Sequence, residues 1–513
     1  MPDRTVLLAD RYSPRERGRR PTILVRSPYG RRGMFGMLFG PVFAERGFNV
    51  LIQSCRGTFG SGGDFDPYHH ERGDGLATLE WLRGQPWYSG ELGTQGPSYL
   101  GLCQWAIAAD AAPDLKAMAV QVSTHDFRNV AFAGGAFALD FALGWSRSVA
   151  LQEKSQLGTL AGRFGTGRTL KPAFDHVPLR DADVVATGKP SPFLRDWLDH
   201  AEPGDPWWEP ITYTRSVEHV TAPVQLLGAW YDPFLPHMIA QYHTLRDREC
   251  RVQLIIGPWT HGQPGSLPWV VRESLGWLRA HLLGDDSLVR TSPVLVFQTG
   301  ADRWLEFSEW PPPHYPERRH LQADQGLSTA EPRMSPPDHF RYDPRDPTPT
   351  MGGTSPMLGG GRKDQRRLEE RADVLTYTSP PLADALDIAG PVSAELFVRP
   401  SSPHTDLFAR LCDVDASGHS VNVTDALLRL SPGSPHADAD GTVRVAIDLW
   451  PTAHRFLAGH RVRLQVSGGS HPLYSRNPGS GEPLGTATTL QAVDQNVYHD
   501  PEHPSAIVLP VLA

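Results

Sequence analysis

The sequence has few of the features that mark secreted, membrane-bound or nucleic-acid-binding proteins. Its four cysteines, Cys55, Cys103, Cys250 and Cys412, are scattered through 513 residues without a Cys-x-x-Cys pair. That scatter argues against a disulfide framework or a structural zinc site, and it favours a reducing cytoplasm. No apolar run approaches the roughly 20 residues of a membrane helix, and Met1–Thr5 does not begin a secretion leader. A formal net charge of -8 argues against nucleic acid and anionic membranes as partners.

What the sequence does contain is the composition of a folded protein with more than one domain. Hydrophobic residues make up 40% of the chain and charged residues 21%, as in globular proteins. At about 150 residues per domain, the length predicts two to four domains.

Apolar runs alternate with amphipathic segments in residues 1–125 and again in residues 216–313. The segment Asp74–Arg83, for example, has its leucines at helical spacing. This alternation predicts an α/β domain with a parallel sheet covered on both faces. The runs that read as buried strands are Pro21–Arg26, Phe48–Gln53, Lys116–Val122, Pro223–Gly228 and Arg251–Ile256.

The remaining two segments have different patterns. Residues 126–215 lack short apolar strands and are predicted to form helices and loops inserted into the α/β domain. Residues 314–513 carry β-like runs without intervening helices, which predicts a β-sandwich domain. Those runs are Val392–Val398, Asp406–Val414, Val443–Leu449, Arg461–Val466 and Ala506–Val511.

Ser98 is the candidate nucleophile, because it lies between Gly96 and Gly101 where a strand-like segment meets a helix-like one. Small residues around a serine allow the sharp turn that exposes its hydroxyl. The second glycine comes one place later than in the strict Gly-x-Ser-x-Gly pattern, so an ordinary turn remains an alternative.

A serine hydroxyl needs a base, and the base needs a carboxylate to orient it. Asp232 and His261 each follow an apolar strand, and the order Ser, Asp, His is that of α/β-hydrolases. His237 is a rival base. The oxyanion formed during acyl transfer needs hydrogen-bond donors. The backbone N–H of Tyr99 is one candidate, and the Tyr29 hydroxyl is a second, although spacing alone favours a packed surface aromatic for Tyr29.

These motifs resemble those of the CocE/NonD hydrolases, a family related to X-Pro dipeptidyl-peptidases and α-amino-acid ester hydrolases. The resemblance covers nearly the whole chain. It implies an α/β-hydrolase domain with an inserted helical cap and a C-terminal jelly roll. It also implies Ser98 as nucleophile, Asp232 and His261 as its partners, and no cofactor or metal. The motifs that carry the resemblance are Arg26-Ser27-Pro28-Tyr29, Gly96-x-Ser98-Tyr99-Leu100-Gly101, Trp230-Tyr231-Asp232, Gly257-Pro258-Trp259-x-His261 and Arg476-Asn477-Pro478.

The same resemblance implies that Tyr29 is the oxyanion donor and that the late second glycine is the family's own pattern. The sequence departs from the family at Thr94 and Gln95, where apolar residues are usual. It also carries Phe234 and Leu235 where α-amino-acid ester hydrolases place acids that bind the substrate ammonium.

A serine esterase acting on small carboxylic esters with apolar or aromatic acyl groups is therefore the leading interpretation. Trp145 and Phe234 are candidate pocket walls, with ordinary packing as the alternative for each. The rival functions are an X-Pro dipeptidyl-peptidase or amino-ester hydrolase, and a non-catalytic binding protein on the same fold. A homodimer is left open.

Overall fold

The structure is a computed structural model that describes residues 1–16, 18–153, 166–433, 438 and 440–513. Close contacts divide the chain into two compact units. The first contains Met1–Val130, Gln152–Gln156 and Glu202–Val296, and the second contains Ala131–Leu151, Leu157–Ala201 and Phe297–Ala513. Among the described residues, none of the helices combines the length and apolar character that crossing a bilayer requires.

The first unit is built on a sheet whose strands follow the order β1-β3-β2-β4-β5-β8-β9-β10. In this order, β1 pairs antiparallel with β3 at the edge, and every later neighbouring pair, from β3-β2 to β9-β10, is parallel. The strands are β1 Ala9–Tyr12, β2 Arg20–Ser27, β3 Asn49–Ser54, β4 Tyr88–Pro97, β5 Leu115–Gln121, β8 Val224–Tyr231, β9 Val252–Thr260 and β10 Val294–Gln298.

Helices connect these strands, as the alternating pattern predicts. All residues of β3 and β8 are buried, which explains why the central strands read as continuous apolar runs rather than alternating ones. The α/β prediction is confirmed. The helices of this unit are α1 Gly33–Ala44, α2 Glu71–Arg83, α3 Tyr99–Ala108, α4 Arg128–Ala131, α9 Thr214–His219, α10 Leu235–Asp247 and α11 Leu267–Leu283, with 3₁₀ turns at Pro206–Ile211 and Pro264–Ser266.

The second unit contains a short hairpin and helices from the predicted insertion. Residues 154–165 of that insertion lie outside the described residues. The hairpin strands are β6 Phe132–Ala133 and β7 Ala136–Phe137. The helices are α5 Leu139–Leu151, α6 Thr166–Phe174, α7 Ala182–Thr187 and α8 Pro192–Asp199, with a 3₁₀ turn at Leu179–Asp181.

The C-terminal part of the second unit is all-β, as predicted, with one short helix, α12 Arg366–Glu369, among its described residues. Its eleven-stranded sheet runs β14-β21-β16-β22-β12-β13-β15-β20-β17-β18, and β19 pairs with β16. The strands of this sheet, β12 to β22, are His314–Gln322, Gly326–Ser328, Asp338–Tyr342, Val374–Thr378, Leu386–Pro400, Thr405–Val414, Ser420–Leu430, Val443–Phe456, Arg461–Ser467, Val493–Tyr498 and Ala506–Leu512, and a 3₁₀ turn spans Ala323–Gln325. Strand β11, Arg303–Phe307, precedes them in the chain and is not part of this sheet.

Alternating burial along β16 and β19 turns one face of these strands into a single apolar core. Each of the five β-like runs found in the sequence lies inside one of the strands. The division of the chain at residues 125, 215 and 313, and the jelly-roll topology, remain predictions.

Candidate active site

Ser98 occupies a strained turn between β4 and α3. Its backbone angles are φ 59° and ψ -124°, outside the regions that L-residues favour. Its N–H donates to the Gln121 carbonyl on the adjacent β5 at 2.9 Å, and its own carbonyl accepts from the N–H groups of Gly101 and Leu102. These bonds hold the serine half-exposed in a conformation typical of a nucleophile elbow.

Glycine is required at both Gly96 and Gly101, because neighbouring side chains lie too close to either backbone for a Cβ atom. Gly96 has φ 148°, and a Cβ there would lie 2.4 Å from the Cβ of Leu100. A Cβ on Gly101 would lie 2.5 Å from the Cβ of Ser123. The Ser123 hydroxyl donates to the Ser98 carbonyl at 2.7 Å, so the start of α3 is fastened to the segment that follows β5.

Asp232 and His261 are brought together by two adjacent parallel strands, β8 and β9. The Nδ1 of His261 lies 2.7 Å from Oδ2 of Asp232. The other carboxylate oxygen, Oδ1, accepts from the Phe234 N–H at 2.9 Å, so the fully buried carboxylate is held from two sides. His261 keeps 20% of its side chain exposed, which suits a base that must reach a substrate.

Ser98, Asp232 and His261 all follow strands of one parallel run, β4-β5-β8-β9. The carboxyl ends of parallel strands lie at the same edge of a sheet, which is where ligands bind in open α/β folds. This placement supports the predicted triad, and the proton transfer from Ser98 to His261 remains a prediction.

The rival base, His237, lies in the first turn of α10. Burial lowers its pKa to about 3, with a smaller contribution from His125. A histidine with so low a pKa is a weak base near neutral pH. The geometry therefore favours His261, whose ring is bonded to the Asp232 carboxylate.

The two predicted oxyanion donors lie on neighbouring segments. Tyr29 follows β2, which pairs with β4, and its ring is edge-on to the ring of Tyr99 at 6.4 Å between centroids. Its N–H donates to the Ser27 hydroxyl at 3.1 Å. Tyr99 is the first residue of α3, so its N–H belongs to the end of the helix that attracts negative charge.

A buried network around Glu71 is the feature that the sequence did not reveal. The Tyr99 hydroxyl donates to Glu71 Oε1 at 2.8 Å, and Arg26 forms an ion pair with Glu71 Oε2 at 2.9 Å. Burial raises the pKa of the Tyr99 hydroxyl well above its usual value. In the sequence, Glu71 stands out only as an acidic residue just before the amphipathic segment Asp74–Arg83.

The polar residues that depart from the family pattern beneath Ser98 have different surroundings. The Thr94 hydroxyl donates to Gln104 Oε1 at 2.8 Å, and the Gln104 amide donates to the carbonyls of Gly96 and Ala119. Gln95 is fully buried, and neither of its amide atoms has a hydrogen-bond partner within the described part of the chain.

Of the two predicted pocket residues, Phe234 lies beside the candidate base. Its buried ring is edge-on to His261, with 5.3 Å between ring centroids. Trp145 belongs to the second unit, where its ring stacks on Trp197 at 5.9 Å and contacts Phe193. A pocket role for Trp145 therefore remains a prediction.

Together, the fold and this site define a serine hydrolase with an α/β-hydrolase-type domain and a C-terminal all-β domain. Residues 3–263 match the X-Pro dipeptidyl-peptidase (S15) family, and residues 288–508 match the X-Pro dipeptidyl-peptidase C-terminal non-catalytic domain. The chain belongs to the X-Pro dipeptidyl-peptidase (S15) family.

Full-length relatives support the same assignment. The chain is 30% identical to the cocaine esterase of Rhodococcus sp. (strain MB1 Bresler), over all of this chain and 97% of that protein. Its fold is similar to that of an α-amino acid ester hydrolase, with a TM-score of 0.82 and 23% identity over 100% of this chain and 95% of the other. An aminopeptidase from the marine sediment archaeon Thaumarchaeota archaeon gives a TM-score of 0.81 at 22% identity, with the same coverage.

Proposed function

We propose that this serine hydrolase cleaves small carboxylic esters with apolar or aromatic acyl groups through an acyl-enzyme on Ser98. The observation that carries this proposal is the 2.7 Å contact between His261 and the buried Asp232. That pair lies at the same sheet edge as Ser98, and the Phe234 ring lies against the imidazole.

In the proposed mechanism, His261 Nε2 takes the proton from the Ser98 hydroxyl as the oxygen attacks the ester carbonyl. Asp232 accepts from the Nδ1–H, which fixes the tautomer and stabilises the imidazolium. The Tyr29 hydroxyl and the Tyr99 N–H stabilise the oxyanion. His261 then protonates the leaving alcohol, and a water molecule activated by the same histidine releases the acid.

The preference for an uncharged acyl group rests on the residues that follow Asp232. Phe234 and Leu235 are both buried and apolar, at the places where the resemblance to α-amino-acid ester hydrolases implies acids. A substrate ammonium beside these side chains would lose water without gaining a carboxylate, which is costly. An aromatic acyl group would instead contact the Phe234 ring.

The direct test compares p-nitrophenyl esters with apolar, aromatic and α-amino acyl groups, and X-Pro p-nitroanilides, on the purified protein. We expect the highest kcat/KM for the uncharged esters. A preference for X-Pro anilides or α-amino esters would reverse this order and identify a dipeptidyl-peptidase or an amino-ester hydrolase, both of which fit the family.

The role of Ser98 has its own test. A fluorophosphonate probe should label the wild-type protein at Ser98, and Ser98→Ala should abolish both labelling and turnover. Ser123→Ala is a matched control, because Ser123 also lies at this edge but its hydroxyl is bonded to the Ser98 carbonyl. It should still be labelled. Labelling of Ser98→Ala at another serine would contradict the proposal.

The cellular setting is part of the same proposal. All four cysteines are free, which supports a reducing cytoplasm as the place of action. We also propose a homodimer, which light scattering of the purified protein would test.

A further inference from the structure

The carboxylate of Glu71 collects hydrogen bonds from several buried groups behind the proposed oxyanion hole. Only 3% of its side chain is exposed. Tyr99 donates to Oε1 at 2.8 Å, and Arg26 pairs with Oε2 at 2.9 Å. The thiols of Cys55 and Cys103 also donate to Oε2, at 3.6 and 3.5 Å. A buried charge with this many donors is held in a single position.

The Tyr99 side chain is fixed at both ends by this network. Its hydroxyl accepts from the Tyr68 N–H at 2.9 Å while donating to Glu71, and its ring stacks on the Tyr68 ring at 4.6 Å. The backbone N–H of the same residue is one proposed oxyanion donor. Fixing the phenol therefore limits how the first turn of α3 can rotate beside Ser98.

The second donor segment is tied to the same carboxylate through Arg26. Arg26 lies three residues before Tyr29, at the end of β2, and only 2% of its side chain is exposed. It donates to the Glu71 carbonyl at 2.6 Å and to Gln53 Oε1 at 3.0 Å. A Cβ on Gly75 would lie 3.0 Å from Arg26 Nη1, so α2 packs directly on the guanidinium.

We infer that Glu71 is a positioning residue for acyl transfer: its carboxylate holds Tyr99 and Arg26, and so sets the places of both oxyanion donors. This inference rests on the proposed function, because it takes Tyr29 and Tyr99 as those donors. Within the described residues, Glu71 has no hydrogen bond to Ser98 or His261, so it acts through other residues.

A metal site is the competing explanation, because ligand atoms of Cys55, Glu71 and Cys103 all lie within 4.8 Å of one another. Two observations favour the hydrogen-bonded cluster. The Glu71 carboxylate is already paired with the Arg26 guanidinium. Burial also raises the pKa of both thiols, which disfavours the thiolates that a metal would need.

Tyr99→Phe is the sharpest test, because it removes the oxygen that Glu71 holds and leaves the backbone N–H and the ring in place. We expect kcat to fall about ten- to hundredfold with little change in KM, since a small misplacement of an active-site group has effects of that order. The affinity for a boronic acid that mimics the tetrahedral intermediate should fall by the same factor.

Tyr88→Phe is the matched control. Tyr88 is also buried and donates to a carboxylate, Asp114 at 2.8 Å, which is itself paired with Arg83. This variant should lower the Tm without changing kcat or the boronic acid affinity. If Tyr99→Phe behaves in the same way, Glu71 has only a structural role and the inference is wrong.

Two further measurements distinguish a failure of the Glu71 inference from a failure of the proposed function. Glu71→Gln retains an acceptor for Tyr99 but removes the negative charge beside Arg26, and its kcat should fall at least as far as that of Tyr99→Phe. An unchanged kcat in Glu71→Gln would overturn the inference. Wild-type protein that is not labelled at Ser98 by a fluorophosphonate would instead refute the proposed function.

Discussion

A mutation at Tyr29 tests how much one hydroxyl group contributes to the site. If its phenol is an oxyanion donor, Tyr29→Phe should lose roughly 2.7–4 kcal/mol of transition-state stabilisation, which is a fall in kcat of about 10²–10³. Steady-state kinetics on an uncharged chromogenic ester measure this loss. Tyr315→Phe is the control, because that ring is 51% exposed and lies in the all-β part. Equal kcat values for the two variants would place Tyr29 outside the chemistry.

Gln95 offers a prediction about stability rather than turnover. Its buried amide atoms lack hydrogen-bond partners within the described residues, and a buried unsatisfied polar group costs about 1–3 kcal/mol. Gln95→Leu should therefore raise the free energy of unfolding by about 1 kcal/mol, as measured by urea denaturation. Gln104→Leu should lower the free energy of unfolding, because the Gln104 amide donates to two carbonyls that would lose their donor. A less stable Gln95→Leu would show that the amide is satisfied.

The residues that the sequence revealed share a simple property. Asp232 and His261 are polar side chains placed just after apolar strands, so both the pattern and the family motifs point to them. Glu71 has no such signal, because its partners Arg26 and Tyr99 lie 45 and 28 residues away in the chain. Only the folded chain shows that these charged and polar groups share one buried space.

At the scale of secondary structure, the junction between β4 and α3 depends on how closely α3 approaches Ser123. Gly101→Ala would place a methyl group 2.5 Å from the Ser123 Cβ. We expect a loss of about 1–3 kcal/mol in the free energy of unfolding, as for other overpacked sites, together with a fall in kcat as Ser98 shifts. Urea denaturation and steady-state kinetics on the same preparation measure both effects.

Gly73→Ala is the control for this substitution. Gly73 also lies in a helix, α2, but a Cβ there meets no atom within 4 Å. Alanine at this place should stabilise the protein slightly, by about 0.5–1 kcal/mol, because glycine weakens helices. If Gly101→Ala is as active and as stable as Gly73→Ala, the close approach of α3 is not a constraint on the nucleophile.

The sequence predicted which elements exist better than where they end. The leucine spacing predicts a helix over Asp74–Arg83, but α2 begins three residues earlier, at Glu71. Apolar spacing cannot detect a first turn that is held by a buried ion pair. The helix-like segment expected after Ser98 is α3, which spans Tyr99–Ala108.

At the scale of the whole molecule, Asp140 should make stability depend on pH. Its carboxylate is completely buried and accepts from the Ser355 hydroxyl at 2.5 Å. Burial raises its pKa from 3.8 to about 7. The folded chain therefore holds a proton that the unfolded chain releases above about pH 4. Stability from this group is present below that pH and is lost as the pH rises towards 7.

Asp140→Asn isolates this contribution, because an amide does not titrate. The wild type should lose stability relative to the variant between about pH 4 and 7, by at most about 4 kcal/mol at about 1.4 kcal/mol per pKa unit. Urea denaturation of both proteins across this range measures the difference. Parallel curves for the two proteins would show that the carboxylate titrates normally.

The position of β22 in the second sheet affects how the chain is made. Ala506–Leu512 lies between β16 and β12, in the interior of the sheet rather than at its edge. During synthesis on the ribosome, those two earlier strands emerge long before their shared neighbour does. Until residue 512 has left the exit tunnel, they expose open backbone groups that other chains could pair with. Nascent chains of this protein therefore carry two strands with unpaired edges until β22 can pair with both of them.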